Sequence, residues 1–175
     1  TVARSDRRTR YRRGEQPRPA YSSEDTDGRL SFIIDPMPIQ PGTKAPDFTL
    51  RTMTAEGIAD FALADHIGKS NLVLLFFPGA YTGVCTQELC DVTAGLGAYK
   101  SLNAEVIGIS VDSVFAQSAW AKANGTSIPL VSDYERVVST AYDVIVPNFG
   151  GMGRSSARAV FVIDKEGVIR YAVQT

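Results

Sequence analysis

Residues Leu72-Val73-Leu74-Leu75-Phe76-Phe77 are six apolar side chains in succession. A strand made from them has no polar face, so it belongs in the middle of a mostly parallel sheet covered on both sides. Pro78 and Gly79 stop the strand, and Gly83 permits a tight turn before Cys85. Beyond the turn, Leu89, Val92, Leu96 and Tyr99 recur at helical spacing, which predicts a helix with one core-facing stripe. Gly95 and Gly97 each weaken that helix by about 1 kcal/mol relative to Ala. Cys85 then falls in the first turn of the helix, where unpaired N–H groups and the helix dipole favour a thiolate. The stretch is built for sulfur chemistry.

The chain has 175 residues, enough for one domain with a short extension, and a net charge of −1. That balance conceals an asymmetry. Residues 1–30 carry eight Arg and five acids, whereas the remainder carries ten Lys/Arg and fourteen acids. An acidic body gives no reason to expect nucleic-acid binding, and no apolar run approaches the roughly 18 residues that span a bilayer. Two cysteines and one histidine are too few for a tetrahedral zinc site, and no cofactor is expected. His66, within Leu63-Ala64-Asp65-His66-Ile67-Gly68, reads as structural, so Cys85 needs an activator other than a histidine.

Residues 1–35 read as a basic, disordered extension: they lack hydrophobic periodicity, with Leu30–Ile34 as a short strand or a packed segment. Asp6, Glu15, Glu24 and Asp25 argue against an organelle transit peptide, and cytoplasmic residence is expected. Pro36, Pro38 and Pro41 form a linker, and a domain spans residues 40–175. An extended segment burying Phe48 and Leu50 and a strand from Ile58 to Leu63 precede the central strand. After the Cys85 helix come a buried strand at Val106–Val111, a helix from Ser113 to Ala123 closed by Asn124-Gly125, and a short strand near Leu130-Val131. Asp133 then caps a helix through Val144. Residues 146–157 form a loop whose glycines do not fit a dinucleotide fingerprint. Ala159–Asp164 and Val168–Val173 form a hairpin about Lys165-Glu166-Gly167. The order β-α-β-α-β-α-β-β predicts an α/β thioredoxin fold, a central mixed sheet flanked by helices.

Pro78, Thr82 and Cys85 stand at the spacing Pro-x-x-x-Thr-x-x-Cys, and the chain there resembles the peroxiredoxins. Lys44-Ala45-Pro46-Asp47-Phe48 looks like that family's opening segment, with its N-terminal strands. Cys90, five residues after Cys85, is similar to the Q-type (bacterioferritin comigratory protein-like) branch. The resemblance implies a thiol peroxidase acting on hydrogen peroxide or alkyl hydroperoxides, recycled by thioredoxin or a glutaredoxin-like protein, and working as a monomer or homodimer. It also implies a helix after the last strand, and with the sequence ending at Thr175 the domain is expected to lack it.

A free thiol ionises near pH 8.5, so only a few per cent is thiolate at neutrality, and a nearby cation is wanted. Arg158 opens a strand that, in a thioredoxin-like sheet, runs antiparallel beside Leu72–Phe77, which brings it to Cys85. The resemblance supports Arg158 as the active-site arginine, with Arg154 a weaker rival. By the same resemblance Thr82 orients the peroxide and Pro78 shields the sulfur. Glu88, one turn beyond Cys85, is read as holding the arginine.

Attack on peroxide leaves a sulfenic acid on Cys85, which condenses with a thiol. Cys90 is the nearest candidate, yet residues i and i+5 of an intact helix have Cα atoms roughly 8.7 Å apart, beyond the approximately 7 Å a disulfide spans. Resolution by Cys90 therefore requires the first turns of the helix to unwind. Otherwise Cys90 is a packing residue and an external thiol resolves the sulfenic acid. A thioredoxin-type oxidoreductase is disfavoured, because the spacing is Cys-x4-Cys and Ala157, not proline, precedes Arg158. A redox sensor passing oxidation to a partner, and a basic-arm nucleic-acid binder, are the competing classes.

Overall fold

The computed structural model describes residues 39–175, together with the backbone of Ser22–Glu24 and Leu30–Phe32. Contacts divide the chain into two units, Thr1–Asp35 and Pro36–Thr175. In the first, β1 (Ser22–Glu24) pairs antiparallel with β2 (Leu30–Phe32), Ser23 opposite Ser31. The predicted Leu30–Ile34 strand is thus present in its first three residues. Ser22–Glu24, expected to be disordered, is paired instead, because backbone groups can ladder without apolar alternation. The rest of the extension expected to be disordered, and the Pro36–Pro38 part of the linker, lie outside the described residues.

The second unit begins with a hairpin of β3 (Thr49–Thr54) and β4 (Gly57–Ala62). The apolar run forms β5 (Asn71–Phe76), followed by α1 (Gly83–Ser101), β6 (Ala104–Ser110), α2 (Val114–Asn124) and β7 (Leu130–Ser132). Next come α3 (Val137–Ala141), the strand pair β8 (Ile145–Val146) and β9 (Ser155–Ser156), and the hairpin of β10 (Ala159–Ile163) and β11 (Ile169–Gln174). The seven-stranded sheet has the order β11-β10-β5-β6-β7-β3-β4. Strands β5, β6 and β7 are parallel, and the remaining pairings are antiparallel, so the sheet is mixed.

The central strand feeds both layers by its two-residue period. Leu72, Leu74 and Phe76 join Ile107, Ile109, Phe161, Ile163 and Tyr142 in one core. Val73, Leu75 and Phe77 join Leu89, Trp120 and Cys85 in the other. Trp120, whose place the sequence leaves open, is fully buried there. Each such side chain contributes about 1.5–3 kcal/mol by leaving water. Ser113 caps α2 by accepting from Ala116 N, and Gly125 closes it with φ 65°, a left-handed conformation that glycine adopts without a Cβ clash.

Two expectations change. The helix predicted from Asp133 to Val144 is only Val137–Ala141. Arg136 (φ 63°) and Asp143 (φ 57°) both occupy the left-handed region, which an α-helix cannot continue through. Asp133 still serves the helix start from a distance, its carboxylate accepting from Val138 N (3.0 Å) and Ser139 N (2.6 Å). The predicted loop 146–157 is also not uniform, since Val146 and Ser155 pair across its base.

Candidate active site

The carboxyl ends of the parallel strands β5 and β6 lie side by side, Phe76 opposite Ile109. Open α/β sheets bind ligands beyond such ends. On the other flank, β10 runs antiparallel to β5 with Ala159 opposite Phe76, so Arg158 arrives where β5 ends. Cys85 is the third residue of α1, buried to 1% exposure beneath the turn that connects β5 to the helix.

These elements bring three predicted residues together. Arg158 Nη2 donates to Cys85 Sγ at 3.2 Å, and Arg158 Nη1 donates to Glu88 Oε2. Arg158 and Glu88 are both about three-quarters buried, so their ion pair is partly removed from solvent screening. A donor cation is thereby fixed against the sulfur. Among the described residues the arginine hydrogen-bonded to Cys85 is Arg158, not its rival Arg154, whose carbonyl oxygen accepts from Arg136 Nε. Thr82 precedes α1 in extended conformation, and its hydroxyl donates to Gly79 O (3.1 Å) rather than capping the helix. Pro78 belongs to the same turn, its carbonyl accepting from Ser155 Oγ.

Cys90 is not brought to this cluster. Its Sγ faces Asn124 O at 3.7 Å, at the end of α2, and both cysteines are free thiols on an unbroken helix. His66 stacks on Phe61 with ring centroids 4.6 Å apart and contacts Glu105 Oε2 through Nδ1 (3.0 Å). A cleft of about 430 Å³ between β3 and α3 contains none of the site residues. Among the described residues no helix is long and apolar enough to cross a membrane.

The AhpC/TSA family profile matches residues 41–172. The chain belongs to the AhpC/TSA family. The spinach chloroplastic 2-Cys peroxiredoxin BAS1 is 34% identical over 162 residues, covering 86% of this chain and 59% of the relative, so the chain spans about three-fifths of that protein's length. The reduced 2-Cys peroxiredoxin of Plasmodium vivax superposes with a TM-score of 0.68 at 29% identity, over 77% of this chain and 85% of that one. The Xanthomonas campestris bacterioferritin comigratory protein gives 0.67 at 29% identity, over 74% and 80%. The expected fold is therefore shared. The Q-type branch is not singled out, because 2-Cys and bacterioferritin comigratory structures match equally well.

Further residues of this AhpC/TSA domain hold the turn in place, and they were missed from sequence. Asp112 Oδ2 accepts from Ala80 N (2.7 Å) and Ser110 Oγ (2.8 Å), and buried Gln117 Nε2 donates to Ser110 Oγ (2.9 Å) and Val131 O (2.9 Å). The turn is thus tied through Asp112 to β6, α2 and β7. On the helix side, Thr86 Oγ1 donates to Thr82 O (2.8 Å) and accepts from Trp120 Nε1 (3.1 Å). One signal for Asp112 was available: it lies just past a buried parallel strand, at the sheet edge where sites form.

Proposed function

We propose that this chain reduces hydrogen peroxide or organic hydroperoxides with Cys85 as nucleophile. The observation that carries this reading is the Arg158 guanidinium shared between Cys85 Sγ (3.2 Å) and Glu88. The thiolate attacks the terminal oxygen of R–O–OH. An S–O bond forms as the O–O bond breaks, and the departing RO⁻ takes a proton to leave as alcohol or water. Arg158 donates to the negative charge as it moves from sulfur to the leaving oxygen, the role of an oxyanion hole. Glu88 holds Arg158 in that orientation. Thr82, its proton engaged with Gly79 O, keeps hydroxyl lone pairs free to accept from the peroxide O–H. Pro78 keeps water from the sulfur.

Cys85 is left as a sulfenic acid. The Cys90 thiolate then attacks the Cys85 sulfur; the S–S bond forms as the S–O bond breaks, and the departing hydroxide takes a proton to leave as water. Because Cys90 points to Asn124 O on an intact α1, the first turns of the helix unwind in every cycle. An external dithiol, thioredoxin or a glutaredoxin-like protein, returns the two electrons. In this reading the protein works in the cytoplasm as a monomer or homodimer; the spinach relative is named as chloroplastic. The alternative, a one-cysteine peroxidase or redox sensor discharged by an outside thiol, draws on the same separation of Cys90 from Cys85.

Intact mass after one equivalent of hydrogen peroxide, with and without a dimedone trap, tests the reading. The expected result is loss of two mass units in wild type and a dimedone adduct in Cys90→Ser, with no reaction in Cys85→Ser. An adduct in both wild type and Cys90→Ser assigns resolution to an external thiol. No rapid reaction at Cys85 refutes the peroxidase.

A further inference from the structure

Cys90 reaches Cys85 only if the first turns of α1 unwind, and resistance to that motion comes from α2. Thr86 N donates to Thr82 O (3.0 Å), the first helical hydrogen bond of α1, and Thr86 Oγ1 donates to the same carbonyl (2.8 Å). Trp120 Nε1, on α2, donates to Thr86 Oγ1 (3.1 Å). One hydroxyl therefore joins the start of α1 to the indole. Four residues on, Asn124 Nδ2 donates to Trp120 O (2.8 Å), and Asn124 O accepts from Cys90 Sγ (3.7 Å). Asn124 is the last residue of α2, where carbonyls have no partner within the helix. The run Thr82–Thr86–Trp120–Asn124–Cys90 ties both ends of the segment that unwinds to one helix.

Trp120 cannot follow Thr86 as the turn opens. Its side chain is 1% exposed, and its ring packs on fully buried Phe77 with centroids 5.3 Å apart. Phe77 directly follows β5 and its N–H donates to Ile109 O (3.0 Å), so the indole rests on the sheet itself. When Thr86 leaves, the indole N–H, a donor only, stays behind in a core without water. A buried donor left unpaired opposes the motion that unpairs it. The backbone groups of the opening turn meet a different fate. Tyr81 and Val84 beside them are 64% and 69% exposed, so solvent is at hand to pair the groups that unwinding frees. Water does not replace the Trp120–Thr86 bond.

We propose that Trp120 is a positioning residue for the second half of the reaction. Its bond to Thr86 clasps the first turn of α1, keeps Cys85 beneath Arg158 while peroxide reacts, and gates disulfide formation by how readily it opens. The inference rests on the two-cysteine peroxidase reading and assigns the gate of its resolving step. The chemistry of that step is unchanged: the Cys90 thiolate attacks the sulfenic sulfur of Cys85. The S–S bond forms as the S–O bond breaks, and the departing hydroxide leaves as water with the proton that Cys90 gave up.

The test follows the full chain by intact mass after rapid acid quench, over a range of hydrogen peroxide concentrations. Sulfenic acid at Cys85 forms in proportion to peroxide, whereas the disulfide forms in a phase that peroxide does not accelerate. Thr86→Val keeps the side-chain shape and removes the hydroxyl, leaving Trp120 Nε1 unpaired in the folded helix. It should quicken the disulfide phase about tenfold. Trp120→Phe removes the N–H, keeps an aromatic ring, and should quicken it about fivefold. Thr86→Ser retains both bonds and should stay within about twofold of wild type. A merely structural role would slow the peroxide-dependent phase and leave the disulfide phase alone. An unaltered or slower disulfide phase in Thr86→Val overturns the clasp and leaves the peroxidase standing, and this variant decides the matter if Trp120→Phe does not fold. Oxidation of Cys85 without a disulfide in wild type also overturns the clasp. No reaction at Cys85 removes both readings.

Discussion

Cys85 and Cys90 are the same side chain on the same helix, five residues apart, yet their surroundings differ in kind. Cys85 is buried in the first turn, with Arg158 Nη2 donating to its sulfur and Glu88 holding the guanidinium. Cys90 is half-buried about one and a half turns on, and its Sγ donates to the carbonyl of Asn124. A carbonyl oxygen accepts a hydrogen bond from a thiol and repels a thiolate, whereas a guanidinium donates to a thiolate and stabilises its charge. On the peroxidase reading, reactivity is a property of place. Burial without a cation would have made Cys85 an inert packing residue.

The strongest way to break the contrast is Arg158→Gln, which removes the cation and leaves neither thiol with a charged donor. Peroxide oxidation of Cys85 should slow by about 10²–10³-fold, the usual loss for one donor to developing charge. Stopped-flow fluorescence of Trp120, the single tryptophan, reports it, because Trp120 shares the Cys85 core. A loss below threefold would mean that Arg158 is only a strand-end residue. Glu88→Gln should cost less, about 10-fold, by leaving Arg158 unoriented; an unchanged rate would remove Glu88 from the site.

Asp112→Ala sharpens the comparison at the level of the turn. It strips partners from Ala80 N and Ser110 Oγ, and should cost about 1–3 kcal/mol in urea unfolding. It should also slow Cys85 oxidation while leaving alkylation of Cys90 unaltered. Equal effects on both cysteines would point to general unfolding.

The smallest effect concerns a remote control, Asp164 at the β10–β11 turn. Its carboxyl is held below the ordinary aspartate range, first by accepting from Val168 N (2.8 Å) and then by Arg170. A depressed value means that this stability is fully present above the unfolded pKa of about 3.9, and is lost as pH falls through the lower folded value. Thermal unfolding at low pH should show Asp164→Asn with a flatter acid limb than wild type. Identical limbs would show that the bond contributes nothing.

Much of this was legible from residues alone. Six unbroken apolar positions required a strand covered on both faces, and the alternation of Leu72, Leu74 and Phe76 against Val73, Leu75 and Phe77 carries that requirement out. Ser113 and Asn124-Gly125 marked the ends of α2 because caps are local chemistry. The helix after Asp133 was overextended because the left-handed turns at Arg136 and Asp143 have no glycine to announce them. Asp112 and Gln117 were passed over because their partners come from other elements.

What the sequence determined by itself is therefore what neighbouring residues decide among themselves: the buried central strand, the turn at Pro78, the helix that starts beneath Cys85, and the alternation of strand and helix. What only the tertiary structure decided is how distant groups meet. Antiparallel pairing of β10 with β5 delivers Arg158 to Cys85, Asp112 ties the turn to β6, and the intact helix holds Cys90 toward Asn124. Local torsions and patterning are written residue by residue. Charge meeting charge across the fold depends on sheet order and register, which arise only when the whole core packs.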